Sequence, residues 1–254
     1  MEAKTSDFEV FIVGGGPGDP ELITMKAFNV LKRADVVLYD NLSNKDLLEI
    51  APKSCKMVYV GKQPYGCYTP QEEINRLIVE HTKTHKVIVR LKGGDPYIFG
   101  RGFEELLYAE EQGIKVNYIP GISSMQGAGF MDIPLTHRGI SESVWMITGT
   151  KKDGSLSNDL KCAMKSSATV VIYMGMKKME EISNTYIKGG LGSMPAAIIQ
   201  NATLSHQKQV ICEVKDLSEA ASREGLAYPA IIIIGNVVKA REVIYEAQNR
   251  LLAV

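Results

Sequence analysis

Along the first half of the chain, short apolar β-branched runs alternate with stretches in which apolar residues recur every three or four positions. Residues 10–13 form the first run and read as a buried strand. It gives way to Gly14-Gly15-Gly16-Pro17-Gly18-Asp19-Pro20, where Asp19 suits a helix N-cap and Pro20 the first helical position. Leu22, Ile23, Ala27, Val30 and Leu31 then share one stripe, so the spacing predicts a helix through Leu31. Strands follow at residues 34–39, ending in Asp40, and at 57–60. A helix is expected from Thr69 or Pro70 to about Thr82, a strand at 87–91, a helix over 103–112 and a strand at 116–119. Such alternation with short connections predicts the α/β class and a parallel, doubly wound sheet.

Pro120-Gly121-Ile122-Ser123-Ser124 is a turn-rich break, which divides the chain into expected domains of residues 8–120 and 121–254. Beyond it the pattern predicts a helical stretch to about Met131, a strand at 143–148 and a polar loop over 151–158. A strand at 169–173, a helix over 178–189, strands at 196–200 and 209–213, a helix over 217–224 and a strand at 230–234 complete the chain. The strands at 196–200 and 209–213 have no helix between them and suggest a hairpin, so the C-terminal sheet is expected to be mixed. Trp145 falls on a strand and is expected in the core.

Composition narrows the classes. Lys and Arg number 29, as do Asp and Glu, so the 254-residue chain is neutral. It has no global field to hold DNA or an anionic membrane, and an anionic ligand needs a local basic patch. Cys55, Cys67, Cys162 and Cys212 are widely spaced without a CxxC pair, which predicts reduced thiols in a cytoplasmic protein. The first residues are polar and lack the apolar stretch of a signal peptide, and the apolar runs are too short to span a bilayer. His81 and His85, four apart, lack the Glu of HExxH and a third ligand; they are expected on the surface, and no metal site is expected.

Two stretches carry chemistry. The glycine loop sits where dinucleotide-binding proteins carry GxGxxG, and Asp40 stands near the position of a ribose-binding acid. Yet the third glycine position is Asp19, and Pro17 and Pro20 lack the N–H that a pyrophosphate needs. A phosphate-free cofactor fits better, although a ligand-free turn and a nicotinamide-dependent oxidoreductase both stay open on this loop alone. The second stretch, Arg90-Leu-Lys-Gly-Gly-Asp-Pro-Tyr-Ile-Phe-Gly-Arg101-Gly, follows a strand and therefore lies at the ligand-binding edge of an open α/β sheet. Gly93 and Gly94 allow close approach to the backbone, and Asp95 can accept hydrogen bonds from hydroxyls or an amine.

The blocks VGGGPGDPELIT, ADVVLYDNL, VGKQPYGCYTPQEEIN, RLKGGDPYIFGRG, PGISS, IPLTHRG and VIYMGM occur in this order from Val13 to Met176. In them the chain closely resembles the tetrapyrrole methylases, and the VGK block followed by QEEIN resembles the branch acting on uroporphyrinogen III. The resemblance implies a two-domain fold, S-adenosyl-L-methionine bound in the cleft between the domains, and a homodimer. It also implies C-methylation of rings A and B to give precorrin-2 through precorrin-1, with S-adenosyl-L-homocysteine released. One methyltransferase module fills the chain, so no fused dehydrogenase or ferrochelatase module is expected. Methylation of a later corrinoid intermediate, or cofactor binding without catalysis, are the rival readings.

Residue by residue, the resemblance assigns Pro17, Gly93, Gly94, Asp95, Ile98, Ser123, Ser124, Met174 and Ala202 to the cofactor. Ala202 stands where the family pattern has Gly, and its methyl group requires a backbone outside the left-handed region. Asp40 and Lys62 match the family's acid–base pair. A carboxylate near the reacting pyrrole would stabilise developing positive charge and accept the departing proton. A lysine would grip a substrate carboxylate or donate a proton. For a substrate with eight carboxylates, Arg101, His137 and Arg138 are the expected cations. Asn41 and Gln63 stand where the family has Arg, which removes two cations from the expected contacts. Tyr65, Tyr68 and Tyr97 flank the motif loops and could cover the macrocycle or pack at its rim.

Overall fold

Five short strands, β1 (Glu9–Gly14), β2 (Val36–Tyr39), β3 (Lys56–Tyr59), β4 (Val87–Lys92) and β5 (Val116–Ile119), pair in the order β3-β2-β4-β1-β5. Every pairing is parallel. The computed structural model describes residues 8–61, 69–240 and 242. Parallel strands need crossovers, which α1 (Met25–Leu31), α2 (Gln71–His81) and α3 (Gly102–Glu111) provide. Val10, Ile12, Val36, Leu38 and Ile88 pack on one face with Ile74 and Ile78 of α2, while Phe11, Val13, Val37, Val89 and Leu91 pack on the other with Val30 and Leu31 of α1. Burial on both faces is why these strands read as unbroken apolar runs rather than alternating ones. Their carboxyl ends all meet one edge, where the motif loops emerge.

The chain separates into two compact units, Met1–Ser123 and Ser124–Val254. The second unit holds β6 (Val144–Thr148), β7 (Thr169–Tyr173), β8 (Pro195–Gln200), β9 (Lys208–Glu213) and β10 (Ala230–Ile234), in the order β6-β7-β10-β8-β9. β6 and β7 are parallel, and the other three pairings are antiparallel, including the β8–β9 hairpin. The sheet is mixed, as the directly joined strands imply. Because β10 is antiparallel to both β7 and β8, the carboxyl ends of β6, β7 and β8 share one edge. Helices α4 (Leu160–Ala163), α5 (Met179–Lys188) and α6 (Leu217–Arg223) accompany this sheet. Leu160, Ile182, Tyr186, Leu217 and Ala221 bury against Ile172, Ile198 and Ile232.

Four expectations change. The helix expected from Pro20 to Leu31 is two pieces: a 3-10 turn, Pro20–Leu22, capped by the Asp19 carboxylate, then an extended Ile23 and α1, whose Thr24 Oγ1 accepts from the Ala27 N–H at 3.2 Å. Thr24 offers the backbone a second start, and the apolar stripe cannot register it. A 3-10 segment, Lys45–Ile50, capped by Asn44, and the short α4 lie where no element was expected. His81 is 8% exposed rather than on the surface, since the last turn of α2 tucks it in; burial pushes its pKa down. Trp145 is 37% exposed rather than in the core, because β6 is an edge strand. No helix among the described residues is long and apolar enough to cross a membrane.

Candidate functional site

The loops after β1, β4 and β5 are joined backbone to backbone. Gly15 N–H donates to the Lys92 carbonyl at 2.7 Å, and Gly94 N–H donates to the Gly16 carbonyl at 2.7 Å. A Cβ at Gly121 would lie 2.2 Å from the Gly94 oxygen and 2.8 Å from Gly14 Cα, so the three loop backbones meet closer than any side chain permits. Gly94 also has φ 65°, in the left-handed region. A Cβ at Gly93 would meet the Leu42 carbonyl oxygen at 2.3 Å, so the chain itself already requires glycine there. Asn44 Nδ2 donates to the Gly18 carbonyl at 2.8 Å and holds the far side of the glycine loop.

Asp95 fastens these loops. Its Oδ1 accepts from the Tyr97 N–H at 2.8 Å, and its Oδ2 from the Tyr118 hydroxyl at 2.6 Å and the Gly121 N–H at 3.0 Å. The carboxylate is buried and its acceptor sites are largely taken, so the work visible here is holding the β4 and β5 loops together. Partial burial and the Asp95 carboxylate push the Tyr118 phenol well above its ordinary pKa. The Tyr118 ring stacks on Tyr97 with centroids 3.9 Å apart. Ile98 is half-buried, with its N–H donating to the Asp95 carbonyl at 3.2 Å.

Asp40, 22% exposed, leaves β2 at the same edge. Its Oδ1 accepts from the Leu42 N–H at 3.0 Å, and its Oδ2 receives Arg90 Nη2 at 2.8 Å. Arg90 is buried in β4 and also donates through Nε to Glu105 Oε1 at 3.3 Å and through Nη1 to the Leu91 carbonyl at 2.8 Å. Lys92, two residues on and on the same face of the strand, donates to Glu105 Oε1 at 2.9 Å. Burial opposes the Arg90 charge, but the Glu105 and Asp40 carboxylates outweigh it and hold its pKa up. Burial and the neighbouring Arg90 push the Lys92 ammonium below the usual lysine value.

This cluster of Arg90, Lys92 and Glu105 is what reasoning from the sequence missed. The signal was present: two cations at alternate positions of an otherwise apolar strand require a buried counter-charge. Which carboxylate supplies it depends on the tertiary packing of α3.

Arg101, at φ 59°, immediately precedes α3 and pairs with Glu104 at 2.6 Å, its side chain 48% exposed. Lys62, with Gln63, Tyr65, Cys67 and Tyr68, lies outside the described residues.

In the second unit, the carboxyl edge of the sheet gathers its own group of loops. Ser124 opens a 3-10 segment, Ser124–Met131, whose Met125 N–H donates to the Tyr173 hydroxyl at 3.2 Å; Ser123, the residue before it in the chain, is buried. Met174 follows β7 at φ 55°, half exposed, and its carbonyl accepts from Thr150 Oγ1 at 3.0 Å. Ala202 is buried, with Asn201 at φ 52° and Thr203 at φ 71° on either side; it is not itself left-handed, so its methyl group meets the condition set above. A Cβ at Gly127 would lie 2.4 Å from the Ala202 Cβ, so the alanine methyl fills the space that Gly127 leaves. Left-handed non-glycine residues are strained and persist only where the surroundings enforce them. His137 exchanges backbone hydrogen bonds with Ser141, and its Nδ1 lies 2.9 Å from the Arg138 carbonyl, with Arg138 exposed. Among the described residues no cluster of His, Cys, Asp or Glu could hold a metal ion.

The profile of the tetrapyrrole (corrin/porphyrin) methylases matches residues 9–218, most of the chain. This chain belongs to the tetrapyrrole methylases. It is 43% identical over 233 residues to the uroporphyrinogen-III C-methyltransferase of Bacillus subtilis, covering 91% of each chain. The siroheme synthase of Chromobacterium violaceum is 41% identical over 232 residues, which is 91% of this methylase and 49% of that longer protein. Among solved structures, a uroporphyrin-III C-methyl transferase from Thermus thermophilus complexed with S-adenyl homocysteine superimposes with a TM-score of 0.77. It shares 35% identity, covering 91% of this chain and 94% of that one. In this chain the uninterrupted Leu-Lys-Gly-Gly-Asp-Pro run spans the end of β4 and the loop after it.

Proposed function

We propose that this methylase transfers methyl groups from S-adenosyl-L-methionine to rings A and B of uroporphyrinogen III, giving precorrin-2 through precorrin-1. The observation that carries the reading is 43% identity across 91% of both chains with the Bacillus subtilis uroporphyrinogen-III C-methyltransferase. Anaerobic turnover of uroporphyrinogen III tests it. The later-corrinoid reading is answered by the same assay. The relatives named siroheme synthase support a product that enters siroheme, and cobalamin is the other destination for precorrin-2.

The residues fit a cofactor without phosphates. A dinucleotide pyrophosphate needs free amides where the glycine loop enters a helix. Here Asp19 Oδ1 takes the Glu21 N–H at 2.9 Å, Thr24 Oγ1 takes that of Ala27, and the intervening turn keeps α1 away from the loop. Bound S-adenosyl-L-methionine supplies a methyl group activated on a sulfonium. Pro17, Gly93, Gly94, Ile98, Ser123, Ser124, Met174 and Ala202 would hold it, with Asp95 setting the backbone of residues 94–98. By calorimetry S-adenosyl-L-homocysteine should bind at least about tenfold more tightly than NAD or NADP, a difference of about 1.4 kcal/mol. Tighter binding of either dinucleotide would overturn the assignment.

In this reading Asp40, held from behind by Arg90, stabilises positive charge on the reacting pyrrole and accepts its proton. Lys62 donates a proton or grips a carboxylate. Arg101, His137 and Arg138 bind carboxylates; the exposed pairing of Arg101 with Glu104 is weak enough for a substrate carboxylate to displace. The protein works in the cytoplasm as a homodimer. Sedimentation at micromolar concentration should give the dimer mass, and a monomer alone would count against it.

A further inference from the structure

We propose that Glu105 is a positioning residue for the methyl transfer: its charge engages Lys92 and one side of Arg90, so that the other side of Arg90 is left to hold the Asp40 carboxylate. The inference rests on the proposed role of Asp40. Glu105 reaches the cluster from α3 with no exposed side-chain surface. Its Oε1 alone receives Lys92 Nζ at 2.9 Å, Gln71 Nε2 at 3.1 Å and Arg90 Nε at 3.3 Å. Its Oε2 is buried without a hydrogen-bond partner among the described residues.

That orphaned oxygen matters. A buried acceptor without a donor is costly, and for bonding alone a glutamine, whose oxygen could take all three donors, would serve as well. What glutamate adds is charge. The cluster holds two cations, Arg90 and Lys92, and two carboxylates, Asp40 and Glu105. Glu105 is also the ion-pair partner of Lys92 in this cluster. Without its charge, a buried ammonium and a buried guanidinium share one carboxylate, Asp40. Buried charges seek pairing strongly, so Asp40 is drawn off its Arg90 geometry.

Glu105→Gln preserves volume and an acceptor oxygen while removing the charge. Its turnover should fall at least about tenfold, with S-adenosyl-L-homocysteine affinity within about twofold of wild type. A crystal structure of the variant should show Asp40 and Arg90 separated beyond about 4 Å, the usual limit of an ion pair. In Lys92→Met/Glu105→Gln the cluster is neutral again, and the Asp40–Arg90 pair and most of the turnover should return. A role in packing alone would not be rescued by deleting Lys92. Wild-type turnover with an intact pair in the single variant overturns the proposal. So does a double variant no better than the single in either measurement. If the single variant does not fold, the double variant decides: an intact Asp40–Arg90 pair supports the proposal and a broken one overturns it. Should the wild type leave uroporphyrinogen III unchanged, the substrate reading fails, while the crystallographic comparison still decides the role of Glu105.

Discussion

Asp40→Asn should retain S-adenosyl-L-homocysteine affinity and lose turnover by about 10²–10⁴-fold, the range for removal of a general base. The substitution is nearly isosteric. The amide oxygen can still accept from Arg90 Nη2, which approaches Asp40 at 2.8 Å in the native protein, while the amide NH2 replaces the oxygen that accepts from the Leu42 N–H, so that one local bond is lost. What disappears is the negative charge that faces the developing cation and the basic oxygen that takes the proton. If both effects act only in the transition state, kcat and kcat/KM should fall together while KM changes little. The loss should apply to both methylations, read by mass as one and two added methyl groups. Near wild-type rates for both would show that another group removes the proton.

Asp95→Ala should have the largest effect on the fold and on cofactor binding together. Its carboxylate accepts from the Tyr97 N–H, the Tyr118 hydroxyl and the Gly121 N–H, and it is buried. Hydrogen bonds to a charged group contribute about 1.5–3 kcal/mol each, so removing all three is expected to cost at least about 4–5 kcal/mol. For a chain of this size that lowers Tm by on the order of 10 °C. The Gly94 and Gly121 backbones, no longer tied, would separate, and calorimetry should find S-adenosyl-L-homocysteine binding weakened by more than about tenfold. Tyr118→Phe removes one of the three bonds and should cost only about 1–2 kcal/mol. An Asp95→Ala variant that melts like wild type would mean that the close glycine packing alone holds these loops.

Much of this was legible in the chain. The apolar runs at β1, β2 and β4 and the directly joined β8 and β9 disclose a parallel sheet and a mixed one, because burial on two faces and the absence of a crossover both leave a pattern in sequence. The prolines and Asp19 of the glycine loop argue against a dinucleotide before any coordinates, and the capping by Asp19 and Thr24 supplies the geometry behind that argument. Other features were not legible. The partners of Asp95 leave no sign in its local sequence, because Tyr118 and Gly121 reach it only when β5 pairs beside β1. The Leu42 carbonyl that closes on Gly93 comes from another loop and leaves no mark in the local sequence. Glu105 looks like any helix carboxylate, since its partners come from β4 and α2 and only packing brings them together.

The most direct measurement is anaerobic incubation of the purified chain with S-adenosyl-L-methionine and uroporphyrinogen III, followed by mass spectrometry. The account predicts products carrying first one and then two added methyl groups, with S-adenosyl-L-homocysteine formed in equal number to the methyl groups transferred. Uroporphyrinogen III recovered unmethylated, while a later corrinoid intermediate is methylated under the same conditions, would contradict it.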